Sequence, residues 1–213
     1  MTKDHRSSTM ELFVRWLASI PSVFDGLRWI LEGGYRGHES VFRIELSNAV
    51  VSETSQRVLD IGCGTGLHAP RFKADCYRGV DLSDRYVQAA RRKYPAHQFD
   101  VGDARKLVFG DDSFQTILIS GLLHHLNDED ALAVLREAAR VLKPGGSIVI
   151  WEDIPTTSLW NPVGAMIHRL DQGDWIRTPD QYRQLIEPSF CIESERTFRS
   201  GFMDYVVFLA RPK

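Results

Sequence analysis

The sequence predicts an α/β fold: a mostly parallel sheet, helices on both faces, and an antiparallel hairpin at the end. Three observations carry this. Short apolar runs alternate with amphipathic stretches between Arg57 and Trp151, as in a parallel sheet joined by crossover helices. The first run, Val58-Leu59-Asp60-Ile61, leads into glycines at every second position, Gly62, Gly64 and Gly66. The chain ends in two strand-like runs, 190–199 and 203–210, joined by a short link at Ser200-Gly201, the pattern of a hairpin.

The elements follow in order. Residues 9–32 are helix-like, with Leu12, Trp16, Phe24, Leu27, Trp29 and Ile30 as apolar faces. Pro21 splits them into two helices, and Gly33-Gly34 stops the second. A third short helix is expected at 38–48. Strands are expected at 57–61, 77–81, 97–101, 115–120 and 147–151, and helices at 66–74, 83–93 and 128–142. The helix at 128–142 is capped by Asn127, with Asp128, Glu129 and Asp130 in its positive first turn. Leu132, Leu135, Ala139 and Leu142 recur on one face, and Lys143-Pro144-Gly145-Gly146 ends it. Residues 153–177 are irregular and rich in Trp and Pro. A helix at 179–187 starts from Thr178-Pro179-Asp180, with proline at its first position.

Composition excludes several classes. With 43% hydrophobic and 10% aromatic residues, the chain has too much apolar mass for disorder. Its 26 basic and 28 acidic residues leave a net charge of −2, so no global field draws it to nucleic acid or an anionic membrane. Cys63, Cys76 and Cys191 are too few and too scattered for a disulfide framework or a zinc site. No metal site is expected. The polar N-terminus lacks a secretory signal, and no run is long enough to span a membrane. The expectation is a cytoplasmic protein.

The glycine loop is the strongest chemical signal. Alternating glycines after a strand let a ligand lie against backbone amides. A dinucleotide loop reads G-x-G-x-x-G. Here the third glycine comes one place early, and Asp60 precedes the loop. A carboxylate there suits an ammonium better than a pyrophosphate. Asp81 ends the second strand, where an acid accepts ribose hydroxyls; the other reading is a helix cap. Asp103 ends the third strand and can accept from an adenine amino group. Asp100, inside that strand, is the weaker candidate.

Together, VLDIGCGTG (58–66), GVDLS (79–83), GDA (102–104), LLHHL (122–126) and LKPGG (142–146) resemble class I S-adenosylmethionine-dependent methyltransferases. The similarity covers residues 57–152 and is greatest to the small-molecule branch, which includes ubiquinone/menaquinone-type and phospholipid-type enzymes. It implies a Rossmann-like seven-stranded sheet, with S-adenosylmethionine as cofactor and S-adenosylhomocysteine as product. By position, Asp60 would hold the methionine ammonium through the loop or a water. Gly62, Cys63, Gly64 and Gly66 would line the methionine part. Asp81 would bind the ribose, Leu82 would lie against adenine, and Asp103 and Ala104 would meet its edge. Ser120 and Gly121 would face the methionine backbone. Two departures stand out: Phe114-Gln115 replaces a frequent Phe-Asp, and the stretch from Gly66 to Gly79 is short and contains Pro70, so the first helix is expected to be truncated. The chain then divides into an N-terminal helical cap (1–56), a cofactor-binding core (57–152), a substrate lid (153–188) and a C-terminal hairpin (189–213), as one domain.

The acceptor site is expected at the carboxyl ends of the fourth and fifth strands. His124 and His125 either act as a general base or merely pack beside the cofactor. Trp151, Trp160 and Trp175 fall near or within the lid. His168, with Asp171 three residues on, is either an oriented base or part of a surface helix. Arg177 either binds an anionic group or is a solvated loop residue. Tyr35, Arg36 and His38, flanked by glycines, either touch the methionine carboxylate or the acceptor, or form a plain turn. Tyr35 is the cofactor candidate and His38 the acceptor candidate. The implied activity is methyl transfer to a small molecule, aromatic or anionic, by a monomer or homodimer. A macromolecular (RNA or protein) methyltransferase and an inactive cofactor-binding module are the alternatives.

Overall fold

The computed structural model describes residues 21–46, 57–156 and 175–213. The expected helix before Pro21, with Leu12 and Trp16, lies outside the described residues, as do Trp160, His168 and Asp171 and the Phe24 side chain.

A seven-stranded sheet runs in the order β3-β2-β1-β4-β5-β7-β6. Its strands are β1 (Val58–Ile61), β2 (Tyr77–Asp81), β3 (Gln98–Val101), β4 (Phe114–Ser120), β5 (Leu142–Asp153), β6 (Phe190–Ser200) and β7 (Met203–Pro212). β1 to β5 pair in parallel, whereas β7 pairs antiparallel with both β5 and β6. The expected hairpin is present, and its tight turn is Gly201-Phe202.

The described helices are α1 (Pro21–Leu31), α2 (Arg36–Val41) with a π-helical turn (Phe42–Leu46), α3 (Asp84–Lys93), α4 (Asp128–Val141) and α5 (Pro179–Ile186). Their starts follow sequence logic. Ser83 accepts from Tyr86 N and Asn127 from Asp130 N, while Thr178 and Gln181 form a reciprocal capping box. The expected helix at 66–74 is corrected to a single 3-10 turn, Ala69–Arg71. Pro70 supplies no N–H there, and only a few residues separate it from β2. The expected helix at 38–48 begins earlier and loosens into the π turn at Phe42.

The sheet has two covered faces, as strand alternation requires. Ile117 and Ile119 of β4 and Ile148 and Ile150 of β5 face α4 and α5, packing with Leu135, Ala138, Tyr182 and Ile186. Leu118, Val149, Trp151 and Val207 face the other way, against Val41 and Leu46 of the N-terminal segment. β2 and β3 complete this second side, where Tyr77 and Phe99 pack on Val87 and Ala90 of α3. The end of α1 is fastened to the hairpin turn: Phe202 N donates to Leu31 O at 2.9 Å and Ser200 Oγ to Glu32 O at 2.8 Å. Leu27, Trp29 and Ile30, which supply apolar faces of α1, are 48%, 58% and 63% exposed.

Gly79 in β2 lets the loop after β1 pack closely. A Cβ there would lie 2.7 Å from the Phe99 ring and 2.8 Å from Cys63 Sγ. Gly79→Ala is therefore expected to cost about 1–3 kcal/mol of stability through overpacking, read as a lower urea midpoint. An unchanged midpoint would show that the contact is slack.

Candidate active site

β1 ends between β2 and β4, so the chain leaving it must turn at once. Gly62 N and Cys63 N both donate to Val80 O, at 2.8 and 3.0 Å. Gly64 stands at φ 53, the left-handed region that glycine adopts without penalty. A Cβ on Gly64 would meet nothing within 4 Å, so the loop is open on that side. The Cys63 side chain turns inward instead, into the cluster with Tyr77 and Phe99.

Two carboxylates meet this loop. Asp81 accepts from Gly64 N at 2.9 Å and from Ser83 N at 2.8 Å. Burial pushes its carboxyl above the usual range, against those two bonds. The apolar side chain beside it, Leu82, is 71% exposed. Asp60 is buried beneath the loop and accepts from the Tyr77 hydroxyl at 2.6 Å, while its Oδ1 has no partner. Burial pushes Asp60 up to about 7, opposed by the Tyr77 bond and helped by nearby Asp81. An open loop of amides, an acid at the end of β2 and a buried carboxylate oxygen lacking a donor fit a ligand with a ribose and an ammonium.

α1 braces the same loop. Thr65 Oγ1 donates to Asp25 Oδ1 at 2.6 Å, and Lys93 meets Asp25 Oδ2 at 3.1 Å. Tyr35, at φ 60, is half-buried and stacks obliquely on His38 with centroids 5.2 Å apart. Burial pushes its phenol up to about 12, against the Arg28 charge. Arg105 binds both oxygens of Asp103, so the structure commits to an ion pair the carboxylate expected at adenine. Ala104 packs against the core beside it.

Beyond β4, Leu123–His125 form a 3-10 turn built around Glu152, a residue that the sequence reading passed over. Glu152 is fully buried. It accepts from Leu122 N and Leu123 N at 2.9 and 2.7 Å and meets His124 Nδ1 at 2.7 Å. His124 Nε2 faces Asp153 Oδ2 at 3.5 Å. Carboxylates thus flank both ring nitrogens of His124, an arrangement that positions the turn rather than leaving a free base. His125 is exposed and lies against His124, with centroids 4.0 Å apart.

Arg177 is neither an anion receptor nor solvated, which corrects both expectations. It is 6% exposed, donates to the carbonyls of Leu123, Trp175 and Leu126, and pairs with Asp128. Every arm of its fork is used within the chain. Trp175 is 47% exposed, and its backbone N–H donates to His124 O at 3.0 Å. Trp151, expected in the acceptor pocket, is fully enclosed at the end of β5. His38 is also enclosed, with Glu32 and Arg28 beside it. His68, which the motif reading also missed, meets Ser120 Oγ at 3.2 Å.

The fold and the glycine loop resemble those of class I S-adenosylmethionine-dependent methyltransferases. Residues 58–146 match the family model described as a methyltransferase domain. The demethylmenaquinone methyltransferase of Streptomyces avermitilis is 36% identical over 118 residues, 54% of this chain and 50% of that protein. The methyltransferase GfsG of Streptomyces halstedii is 30% identical over 180 residues, 78% of this chain and 61% of that protein. The chain thus spans about half to three-fifths of the length of these curated relatives. The fold is shared with the PH0226 protein of Pyrococcus horikoshii, with a TM-score of 0.65 and 23% identity, covering 84% of this chain and 92% of the other. Among the described residues no helix is long and apolar enough to cross a membrane, and no cluster of metal-ligating side chains occurs.

The raised carboxyl of Asp60 has a consequence for stability. An acid whose folded pKa lies above its unfolded value stabilises the fold at low pH, and that contribution is lost as pH rises. For Asp60 the window runs from about 4 to about 7. Asp60→Asn should flatten the decline of unfolding free energy across that window. A decline of unchanged steepness would assign it to another group.

Proposed function

We propose that the protein transfers a methyl group from S-adenosylmethionine to a small organic acceptor. The observation that carries this reading is the open glycine loop, pinned to Asp81 and underlain by the unpartnered oxygen of Asp60. The cofactor supplies a methyl already activated on a sulfonium. The protein's own work is therefore to hold two partners in line and to exclude water. Asp81 and the neighbouring Ser83 N–H set the ribose end. The amides of residues 62–66 cradle the methionine part, and Asp60 balances its ammonium from below. Leu82 offers an apolar surface to the base.

Ser120 and Gly121, at the carboxyl end of β4, lie in line with the loop and border the space for the reacting groups. The turn held by Glu152 and His124 fixes that border. The name of the demethylmenaquinone methyltransferases supports a small acceptor, and the net charge of −2 gives no pull toward nucleic acid. On this reading the N-terminal cap, core and hairpin work as one unit, with residues 153–188 as its lid.

The test is thermal unfolding with S-adenosylhomocysteine. At 100-fold over its dissociation constant the ligand should add about 2.7 kcal/mol to stability, and Asp81→Ala should abolish the shift. No shift from the cofactor or its product, together with one from NAD, would refute the reading.

A further inference from the structure

Two carboxylates stand at the carboxyl end of β3, Asp100 and Asp103, and an arginine takes each of them. Arg78 Nε donates to Asp100 Oδ2, and its Nη1 to Gln98 Oε1. Arg105 takes Asp103 more completely. Its backbone N–H donates to Asp103 Oδ1 at 2.9 Å, and Nε reaches Oδ1 and Oδ2 at 3.0 and 3.1 Å. Its Nη2 donates to Oδ2 at 2.8 Å. The other arm of the fork, Nη1, donates to Asp130 Oδ1 of α4 at 2.8 Å.

These groups adjoin the acid that meets the glycine loop. Val101 is the register partner of Asp81, and Gly102 N donates to Asp81 O at 3.0 Å, so the chain carrying Asp103 starts beside it. A carboxylate has about four acceptor positions, and the contacts from Arg105 fill them. Exposed ion pairs are usually weak, but a bidentate fork tied into a network is the exception. Here one guanidinium bridges two acids, and its partner lies only two residues away. Hydrogen bonds from Arg105 hold the Asp103 carboxyl below its usual range, so it stays an anion. An amino group on a purine is a neutral donor, roughly half as strong toward a carboxylate as a guanidinium. It would have to displace Arg105 and cannot outbid it. Apolar surface remains for a base: Leu82 follows Asp81, Val101 lies across from it, and both are exposed. Dispersion against such side chains acts on the face of a ring and not on its amino substituent.

Resting on the methyltransferase reading, we propose that Arg105 sets the base specificity of the cofactor site. By occupying Asp103 it withdraws the acceptor for the 6-amino group, so the site takes the purine nucleoside with or without that group. A site discriminates through the polar group that a wrong ligand leaves unpaired. Asp103 is already paired, so a purine lacking the amino group leaves nothing unpaired there. Recognition then rests on the ring face, the ribose at Asp81 and the methionine part at the glycine loop. Arg105 touches neither reacting atom; it acts on specificity through Asp103.

The test measures, by calorimetric titration of the full chain, the affinity for S-adenosylhomocysteine and for its 6-deamino analogue, in which the base is unsubstituted purine. The readout is the ratio of the two affinities, which a general loss of stability leaves unchanged. In the wild type the ratio should stay within about 3-fold, less than a hydrogen bond to a charged group provides. Arg105→Ala frees the carboxylate, and S-adenosylhomocysteine should then bind at least about 10-fold more tightly than the analogue. Adding Asp103→Ala to Arg105→Ala should return the ratio to the wild-type value. Two outcomes overturn the proposal: a wild type that already prefers the amino group by about 10-fold or more, or an Arg105→Ala variant that still ignores it. Failure of the wild type to bind either ligand would instead refute the methyltransferase reading itself.

Discussion

The loop after β1 is held to the end of β2 by three hydrogen bonds. Val80 O accepts from Gly62 and Cys63, and the Asp81 carboxylate accepts from Gly64. β1 lies between two parallel neighbours, so the chain has no lateral room and must rise and reverse within a few residues. Glycine at Gly64 makes that reversal strain-free, and Gly79 lets the reversed chain lie flat on β2. The remaining site is arranged around this junction. Asp60 ends up beneath it, Asp25 of α1 reaches its Thr65, and His68 leaves it toward Ser120.

The buried acids divide by what satisfies them. Glu152 takes backbone N–H groups and a histidine, which turns a costly buried charge into a fixed frame for Leu123–His125. Glu32 accepts from Arg28 through one oxygen and holds the other against His38 Nε2 as an ion-pair contact. Asp60 keeps one oxygen without a donor, and burial pushes its carboxyl up to about 7. A site that receives a cation needs such a residue, because the arriving charge then replaces a missing interaction instead of competing with an existing one.

The parallel sheet, the hairpin and α3, α4 and α5 were legible in the sequence because apolar periodicity, caps and glycines act locally. Asn127, Thr178 and Ser83 cap the helices they precede. What was not legible depends on contacts distant in sequence. Glu152 reads as the polar end of an apolar strand, and only the fold brings it to Leu122 and His124. Arg177 reads as a loop cation, and only the return of α5 onto the turn at 123–126 buries it. His68 directly follows the glycine motif, but its pairing with Ser120 spans 52 residues. The helix at 66–74 is truncated to one turn, as Pro70 and the short path to β2 implied. A glutamate in an otherwise apolar strand was the one available signal for Glu152.

The central claim is that the β1 loop, Asp81 and Asp60 together receive a cationic nucleoside ligand. The most direct measurement is calorimetric titration with S-adenosylhomocysteine near pH 7, in two buffers of different ionisation enthalpy. Because Asp60 titrates at about 7 in the free protein, an ammonium bound above it should drive off its proton. The observed heat should then differ between the buffers in the direction of proton release, and Asp60→Asn should erase the difference. Absence of binding in both buffers would contradict the account, and equal heats in the two buffers would remove Asp60 from the site.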